Sequence, residues 1–458
     1  MAVSIEGGSG LTEDAHRHEF GELLLHLSST LAIAPDLEAE SSDVHNIQDI
    51  NPFERPSRAA AAFLRSTTDS TLVHIDFEIA RGYYLLFEGL PQAYARHGKN
   101  FAAVTAAFYN KHMCDPDDVW FLAATTLITT SNFTLDQFGS KQPGIERTTY
   151  FQNFNWTDER IDRTLKILTT SIRELRTPSL LNQLHGQSPF DTNPLLAIAN
   201  QHIVIDPQCL ARYIGETFFA VMADTLETRS RELYLTCLGE AIERYIVDIA
   251  NSAAIFGKSG SNVLDVEEQQ EGYDILIEDG RVLSAFEVKR DTISNDAIQS
   301  HDIQRYANEV SLSKTFTKAP KQLSGTIDKL ATMDPPSSRI HLGVVACHDA
   351  FSFLCVQQQF SSRFFAQHRK SGVELSRFHF VRPIVVSMRE WEKVCTIVAS
   401  GRRFCDCFDA IIAWDKLGEY PAEMSLAWKE YVPTMFADDF LDSKIQAISR
   451  LATKHLIS

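Results

Sequence analysis

The sequence has no Cys-x-x-Cys pair and no cysteine–histidine cluster at zinc-ligand spacing, although it contains 8 cysteines in 458 residues. Thiols this sparse exclude a disulfide or zinc framework, and Cys405 and Cys407 stand too close together to make a tetrahedral site alone. No apolar run is long enough to span a bilayer, and the N-terminus lacks a basic segment followed by an apolar one. The expectation is a cytoplasmic protein that does not engage a membrane. Repeats and low-complexity tracts are missing too. Positive charge is in deficit: 43 Lys and Arg against 60 Asp and Glu leave a formal net charge of −17. A protein that grips a polyphosphate over a broad surface carries the opposite sign. Any contact with nucleic acid therefore has to be local, or to involve a divalent cation that reverses the field around it.

What is present is the composition of a compact globular chain, 44% hydrophobic and 22% charged, which excludes wholesale disorder. The length predicts two or three domains. Residues 1–50, with Gly-Gly-Ser-Gly and the acidic, serine-rich run Glu38 to Asp43, predict a loosely structured segment around one short helix at Phe20 to Leu31. Residues 51–230 predict a mainly helical region of unassigned role. Its helices have legible starts at Asp115-Pro116-Asp117-Asp118, Thr157-Asp158-Glu159 and Asp206-Pro207. Capping accounts for the three clustered acids at 115–118 better than metal binding does, because consecutive carboxylates diverge. His202 and His348 lack ligand partners at a recognisable spacing and are expected to be structural.

From Arg231 the pattern becomes helix, strand, hairpin, helix, strand, helix, strand up to about residue 400. This predicts α/β layering with a mixed central sheet flanked by helices. Expected elements are a helix over Glu232 to Ala250, a strand at Asn262 to Val266, a hairpin at Tyr273 to Lys289, and helices at Asp296 to Leu312 and Lys318 to Leu330. A strand at Ile340 to Cys347, a helix from Asp349 and a strand at Phe378 to Val386 follow. Ser387-Met388-Arg389-Glu390 is a capping box opening the next helix. A helical C-terminal segment, 401–458, carries the apolar stripe Phe440, Leu441, Ile445, Ile448 and Leu451.

The chemistry concentrates in the hairpin. Asp279-Gly280 predicts a two-residue type I′ turn, because both residues tolerate positive φ. Counting outward, Glu278 faces Arg281, Leu276 faces Leu283 and Asp274 faces Ala285. Alternation then sends Asp274, Ala285, Glu287 and Lys289 to one side, and Tyr273, Ile275, Ile277, Val282, Phe286 and Val288 to the other. Asp274 and Glu287 become diagonal neighbours about 7–8 Å apart, close enough for their carboxylates to converge on one cation. Paired hard oxygens suit Mg2+, with Mn2+ as a substitute. Lys289 on the same face can orient or help deprotonate a water and offset phosphate charge. This is equipment for hydrolysing a phosphodiester.

An acid-bearing helix, Gly239-Glu-Ala-Ile-Glu243, followed by an Asp on one strand and Glu-x-Lys on its hairpin partner, resembles the PD-(D/E)XK nuclease superfamily over roughly residues 232 to 400. The resemblance implies the restriction-endonuclease-like fold and a metal site formed by Asp274, Glu287, Glu243 and the backbone carbonyl of Val288, with Lys289 as catalytic partner. Glu240, one turn earlier, is the alternative to Glu243. Tyr273 stands where the family's name has proline. Many members carry a glutamine on the helix after the motif, for which Gln304 is the first candidate and Gln299 and Gln322 fit more loosely.

The function this implies is metal-dependent cleavage of nucleic acid, DNA favoured over RNA, in DNA processing or bacterial defence. The competing reading keeps the fold as a non-catalytic nucleic-acid-binding or protein-interaction scaffold. The N-terminal helical region is then the expected surface for a homo-oligomer or a protein partner. Lys289, Arg290, Arg305, Lys314, Lys318, Lys321 and Lys329 follow the motif closely, with no acid between Ser311 and Gly325. Such a stretch suits a phosphate backbone.

Overall fold

A computed structural model describes residues 75–131, 144–171, 189–198, 201–204, 207–265, 273–290, 312–331, 339–346, 356–371, 380–417 and 439–456. The expected segment at 1–50, the helix at Asp296 to Leu312 apart from its last residue, His348, Gln299 and Gln304 lie outside the described residues.

The central sheet has strand order β5-β6-β7-β8-β9, formed by Asn262–Asp265, Ile275–Asp279, Val282–Lys289, Arg339–Ala346 and Phe380–Ser387. The first three strands make an antiparallel meander; β8 and β9 run parallel to β7. Parallel neighbours need a crossover on one face. Helix α9 (Ala319–Ala331) lies between β7 and β8 in sequence, and α10 (Val356–Ser371) between β8 and β9. Both faces of the sheet are covered, so β7 and β8 are buried along nearly their whole length instead of alternating.

One face packs Leu276, Leu283, Ala285, Leu342 and Val344 against Leu323 and Ile327 of α9 and Phe360 and Phe364 of α10. The other face packs Ile275, Ile277, Phe286, Val345 and Ile384 against α8 (Thr228–Gly257), α11 (Met388–Ala399) and α12 (Phe404–Leu417). Gly343 pairs with Phe286 across β7 and β8, and its missing side chain leaves room for that ring. Phe286 in turn meets Phe408 at 4.7 Å and Trp391 at 5.0 Å between ring centroids.

Helix α8 is longer than the expected Glu232 to Ala250, because Thr228 to Arg231 and Asn251 to Gly257 continue the same turn geometry to a left-handed Lys258. Its buried stripe, from Tyr234 through Leu238, Ile242, Tyr245 and Ile249 to Ala253, faces the sheet and the N-terminal helices at once. One continuous core therefore runs from Phe77 to Ile448 across residues 230 and 400. On the N-terminal side it takes in α1 (Ile75–Tyr83), α2 (Leu90–Arg96), α3 (Ala102–His112), α4 (Pro116–Ser131) and α5 (Asp158–Leu168). At the far end it takes in α13 (Asp439–His455), whose Ile448 is buried.

The N-terminal region is not helical throughout. Gly144–Glu146, Thr169–Ser171, Leu195–Ile198 and Gln201–Val204 form a second, four-stranded sheet, β1 to β4, in the order β1-β4-β3-β2. Strands of three or four residues are too short to show an alternation in sequence. The predicted Thr157 cap forms, accepting the Arg160 N–H at 3.3 Å; Asp117 and Asp118 lie in the first turn of α4, and Asp206 lies outside the described residues. Asp118 does more than cap, since its buried carboxylate also receives the Arg160 guanidinium at 2.6 and 2.7 Å. The Ser387–Glu390 capping box forms with both reciprocal hydrogen bonds.

Where α1, α8 and α11 meet, Arg81 is 1% exposed and forms ion pairs with Glu78 and Glu392. Tyr245 Oη donates to Glu392 at 2.9 Å, and Arg389 Nε donates to Glu78 at 2.9 Å. Burial works against the Arg81 charge, but Glu392, Glu78 and Glu216 outweigh it and hold the proton more firmly than in water.

Three substitutions test this packing by urea denaturation. Arg81→Leu leaves the Glu392 carboxylate buried without its cation and Glu78 with Arg389 alone, and is expected to cost about 3–5 kcal/mol. Gly343→Ala drives a methyl group into the Phe286 ring and is expected to cost about 1–3 kcal/mol. Gly325→Ala, on the exposed side of α9 with open space around it, is expected to stabilise by about 0.4–1 kcal/mol.

Candidate active site

The hairpin that carries Asp274, Glu287 and Lys289 pairs Asp279 with Val282, so its two loop residues are Gly280 and Arg281. This corrects the expected Asp279-Gly280 turn. Only Gly280 has positive φ, +65°, the pattern of a type II′ turn with glycine at the first central position. Asp279 is drawn into the ladder because its buried carboxylate accepts the Cys405 N–H of α12 at 2.7 Å. Sliding a two-residue loop by one position moves every partner by two and leaves face assignments unchanged. Leu276 now faces Ala285, and Ile275 faces Phe286. Continued by one residue, the same pairing sets Asp274 opposite Glu287, not diagonal to it.

Asp274 sits just before β6, outside the ladder, so strand alternation does not govern its side chain. Its N–H donates to Phe286 O at 2.8 Å, and its Oδ2 accepts the Val288 N–H at 2.6 Å. The carboxylate thus takes up an edge donor of β7 where β6 turns away. In an extended strand the N–H and C=O of one residue point the same way, so the Val288 carbonyl is directed to the Asp274 side as well. Tyr273, also ahead of the strand, is buried with the α9–α10 core instead of the expected opposite side.

Glu287 is 4% exposed and forms an ion pair with Lys289. Gln322 on α9 donates Nε2 to the same Glu287 oxygen at 2.9 Å. Gln322 thus occupies the place for which Gln304 was the first candidate. Its Oε1 is buried without a hydrogen-bond partner among the described residues, an open acceptor at the site. The sequence signal was weak because Gln322 lies far along the chain from the motif; only the crossover path of α9 brings it back over β7.

Glu243 on α8 completes the group. Its carboxyl is pushed up to about 8 by burial first, then by Asp274; Lys289 opposes this, and Glu287 and Glu240 add to it. Three of the four charges it feels belong to the hairpin residues. Glu240 has other partners: its carboxylate lies 2.6 Å from His97 Nε2 and 3.4 Å from Arg96. The assembly occupies the carboxyl end of β7, beside the parallel strands, where open α/β sheets place their ligands.

Among the described residues, no three Asp, Glu, His or Cys side chains stand close enough together to hold a metal ion as they are. Asp274 is turned to the Val288 N–H, and Glu287 to Lys289 and Gln322. The donor chemistry nonetheless fits a hard divalent cation. Three carboxylates crowd one lysine, Glu243 relieves the crowding by holding its proton, and the Gln322 oxygen lacks a donor.

A second polar chain lies toward the other end of the sheet. Ser284 Oγ is 3.1 Å from His341 Nδ1, and His341 Nε2 is 3.1 Å from Asp409. Burial tends to raise the Asp409 carboxyl, but His341, Arg339 and Arg382 together bring it below its usual range. The order serine, histidine, aspartate invites comparison with a hydrolase triad. Ser284 and His341 are both 0% exposed, so no substrate reaches the hydroxyl, and the chain serves to tie β7, β8 and α12 together. His202 is likewise structural in its setting: its Nδ1 lies 3.1 Å from Thr169 Oγ1, reaching from β4 across β3 to β2.

No protein-family model, curated protein or solved structure matches the chain. No helix among the described residues is long and apolar enough to cross a membrane.

The raised Glu243 carboxyl gives a signed pH dependence. The folded protein holds a proton on Glu243 that the unfolded chain has already lost, so this group's contribution to stability falls as pH rises from about 4.5 to about 8. Glu243→Gln removes that penalty. In EDTA, its melting temperature is expected to match wild type near pH 5 and exceed it by a few degrees at pH 8.5. Equal melting temperatures at both pH values would mean that neither burial nor Asp274 holds the Glu243 carboxyl above its ordinary range.

Proposed function

We propose that the chain is a divalent-metal-dependent nuclease of the PD-(D/E)XK type, hydrolysing phosphodiester bonds in polynucleotides, DNA above all. The observation that carries this reading is the meeting of Glu243, Asp274, Glu287 and Lys289, from a helix and two paired strands, at the carboxyl end of β7. The element order fits the same reading: an acid-bearing helix, an antiparallel meander, a crossover helix and a parallel strand. Coincidence of an exposed Glu-x-Lys strand face is a poor account of these residues, because Glu287 and Lys289 are 5% and 12% exposed and Glu243 converges on them from another element.

In this reading Mg2+ is held by Asp274, Glu287 and Glu243, with the Val288 carbonyl beside them, and supplies Lewis acidity and a lowered water pKa when bound. The chain's own residues do the rest. Lys289, released from Glu287, holds a water or a phosphate oxygen by its ammonium group and offers a proton-transfer partner at Nζ. Gln322 fixes the orientation of Glu287 through Nε2 and presents its free Oε1 to a water proton. Glu243 gives up its proton as positive charge enters the site, so occupation and deprotonation are linked. The buried walls of Ala285 and Leu323 limit water on the sheet side.

A binding module that retains the fold is favoured by one specific feature: the present partners of Asp274 and Glu287 are protein groups, a backbone N–H and Lys289. Supercoiled plasmid, linear duplex, single-stranded DNA and RNA, each with Mg2+, Mn2+ or EDTA, separate the two. Metal-dependent cleavage is expected, reduced about 10²–10⁴-fold in Lys289→Ala and about 10–100-fold in Gln322→Ala, with both variants folded. A wild type that leaves all four substrates intact with either metal would refute the catalytic reading and leave the binding module.

A further inference from the structure

The segment Arg96-His97-Gly98-Lys99-Asn100 ends α2, and all five residues are exposed. It is fixed in shape. Gly98 adopts φ +63°, its N–H donates to Ala95 O at 2.9 Å, and the Lys99 N–H donates to Tyr94 O at 2.9 Å. These are the paired bonds of a Schellman close. Asn100 then accepts the Ala102 N–H at 2.9 Å, so the next helix starts without slack. A helix C-terminus favours cations, which accounts for one basic residue here. It does not account for where this group stands.

His97 and Arg96 lie on the carboxylate of Glu240, one helical turn from Glu243 on α8. Side chains three apart on a helix are about 5–6 Å from each other. The loop is thereby placed beside the candidate metal centre by a residue of the same helix. Arg96 remains 52% exposed despite its pairing. Beyond Glu287, Lys318 and Lys321 are exposed on and just before α9, next to Gln322. A chain with a net charge of −17 thus presents basic residues on two flanks of this crowded acidic centre, and one flank comes from the N-terminal helical region.

We propose that the Arg96–Lys99 loop binds the backbone phosphate next to the scissile one, making the N-terminal region part of the substrate interface. The proposal rests on the nuclease reading for the identity of the polyanion. Charges on a nucleic-acid strand recur every ~3.4 Å, so a loop one helical turn from Glu243 corresponds to roughly one or two nucleotides from the reacting phosphate. Glu240 holds the Arg96 and His97 side chains in place before substrate arrives and yields them to the phosphate afterwards. Rigid closure of the loop spares the entropy of ordering it on binding.

The test uses the full chain in EDTA and a fluorescein-labelled oligonucleotide, single-stranded or annealed to its complement, with anisotropy read over a salt series. The triple variant Arg96→Ala, His97→Ala, Lys99→Ala is compared with the double variant Arg402→Ala, Arg403→Ala. The double variant removes two permanent cations at the start of α12, near Asp279 at the opposite end of β6 from Asp274. Cleavage by each protein in Mg2+ is followed in parallel, and melting curves check folding. We expect the triple variant to bind about tenfold more weakly and its log–log salt slope to fall by about 2, near 0.9 for each permanent cation lost from a phosphate. The double variant is expected to stay within about twofold of wild type. If the triple variant binds and cleaves as wild type does, the loop assignment is wrong and the nuclease reading stands. Equal weakening in both variants would also overturn it, reducing the effect to net charge. A wild type that neither binds nor cleaves removes both.

Discussion

The Arg81 guanidinium is the constraint on which the arrangement of the chain depends. An arginine taken out of water costs several kcal/mol unless its charge is met, and here Glu78 and Glu392, with Glu216 at 3.6 Å, meet it only when elements distant in sequence close around it. Glu78 comes from its own helix and Glu392 from α11, while Tyr245 of α8 donates to Glu392. Tyr245 is two residues from Glu243. The junction that neutralises Arg81 therefore also sets the rotation of α8 about its axis, and with it the direction in which Glu243 is aimed. Structural electrostatics and candidate chemistry share one helix, on roughly opposite faces.

The two charged groups differ in balance. Around Arg81, three carboxylates, Glu78, Glu216 and Glu392, meet two guanidiniums, Arg81 and Arg389, and the Tyr245 hydroxyl. Around Lys289 the balance is more unequal: three carboxylates stand with one ammonium, and the Glu243 carboxyl is raised by burial first and by Asp274 next. An excess of one sign held in a fixed frame favours a counter-ion.

Much of this was legible in the sequence wherever period and capping chemistry act over a few residues. The strands of the central sheet, the Ser387–Glu390 cap, the α8 stripe and the shared face of Glu287 and Lys289 all follow from local pattern. The turn was misjudged by one residue because Asp279 is claimed by Cys405, a tertiary contact with no local signature. Parity survived that error, since a two-residue loop slides every pair by two. Asp274 could not be aimed from alternation because it lies outside the ladder. Gln322 was one of two looser glutamine candidates behind Gln304, and the small β1–β4 sheet was invisible because its strands span barely more than one repeat of the pattern. The Arg96 loop reads in sequence as an ordinary helix end; only Glu240 shows what it stands beside.

The ion pair between Arg81 and Glu392 joins residues separated by 311 positions. On a ribosome adding about 5–20 residues per second, the guanidinium emerges roughly 15–60 seconds before Glu392 exists. Through that interval Glu78, and later Glu216, are present to meet its charge, while the joint with α11 waits for Glu392. Closure of α1 onto α11 therefore follows synthesis of α8 and the hairpin, and the two charged groups on α8 are completed at different times.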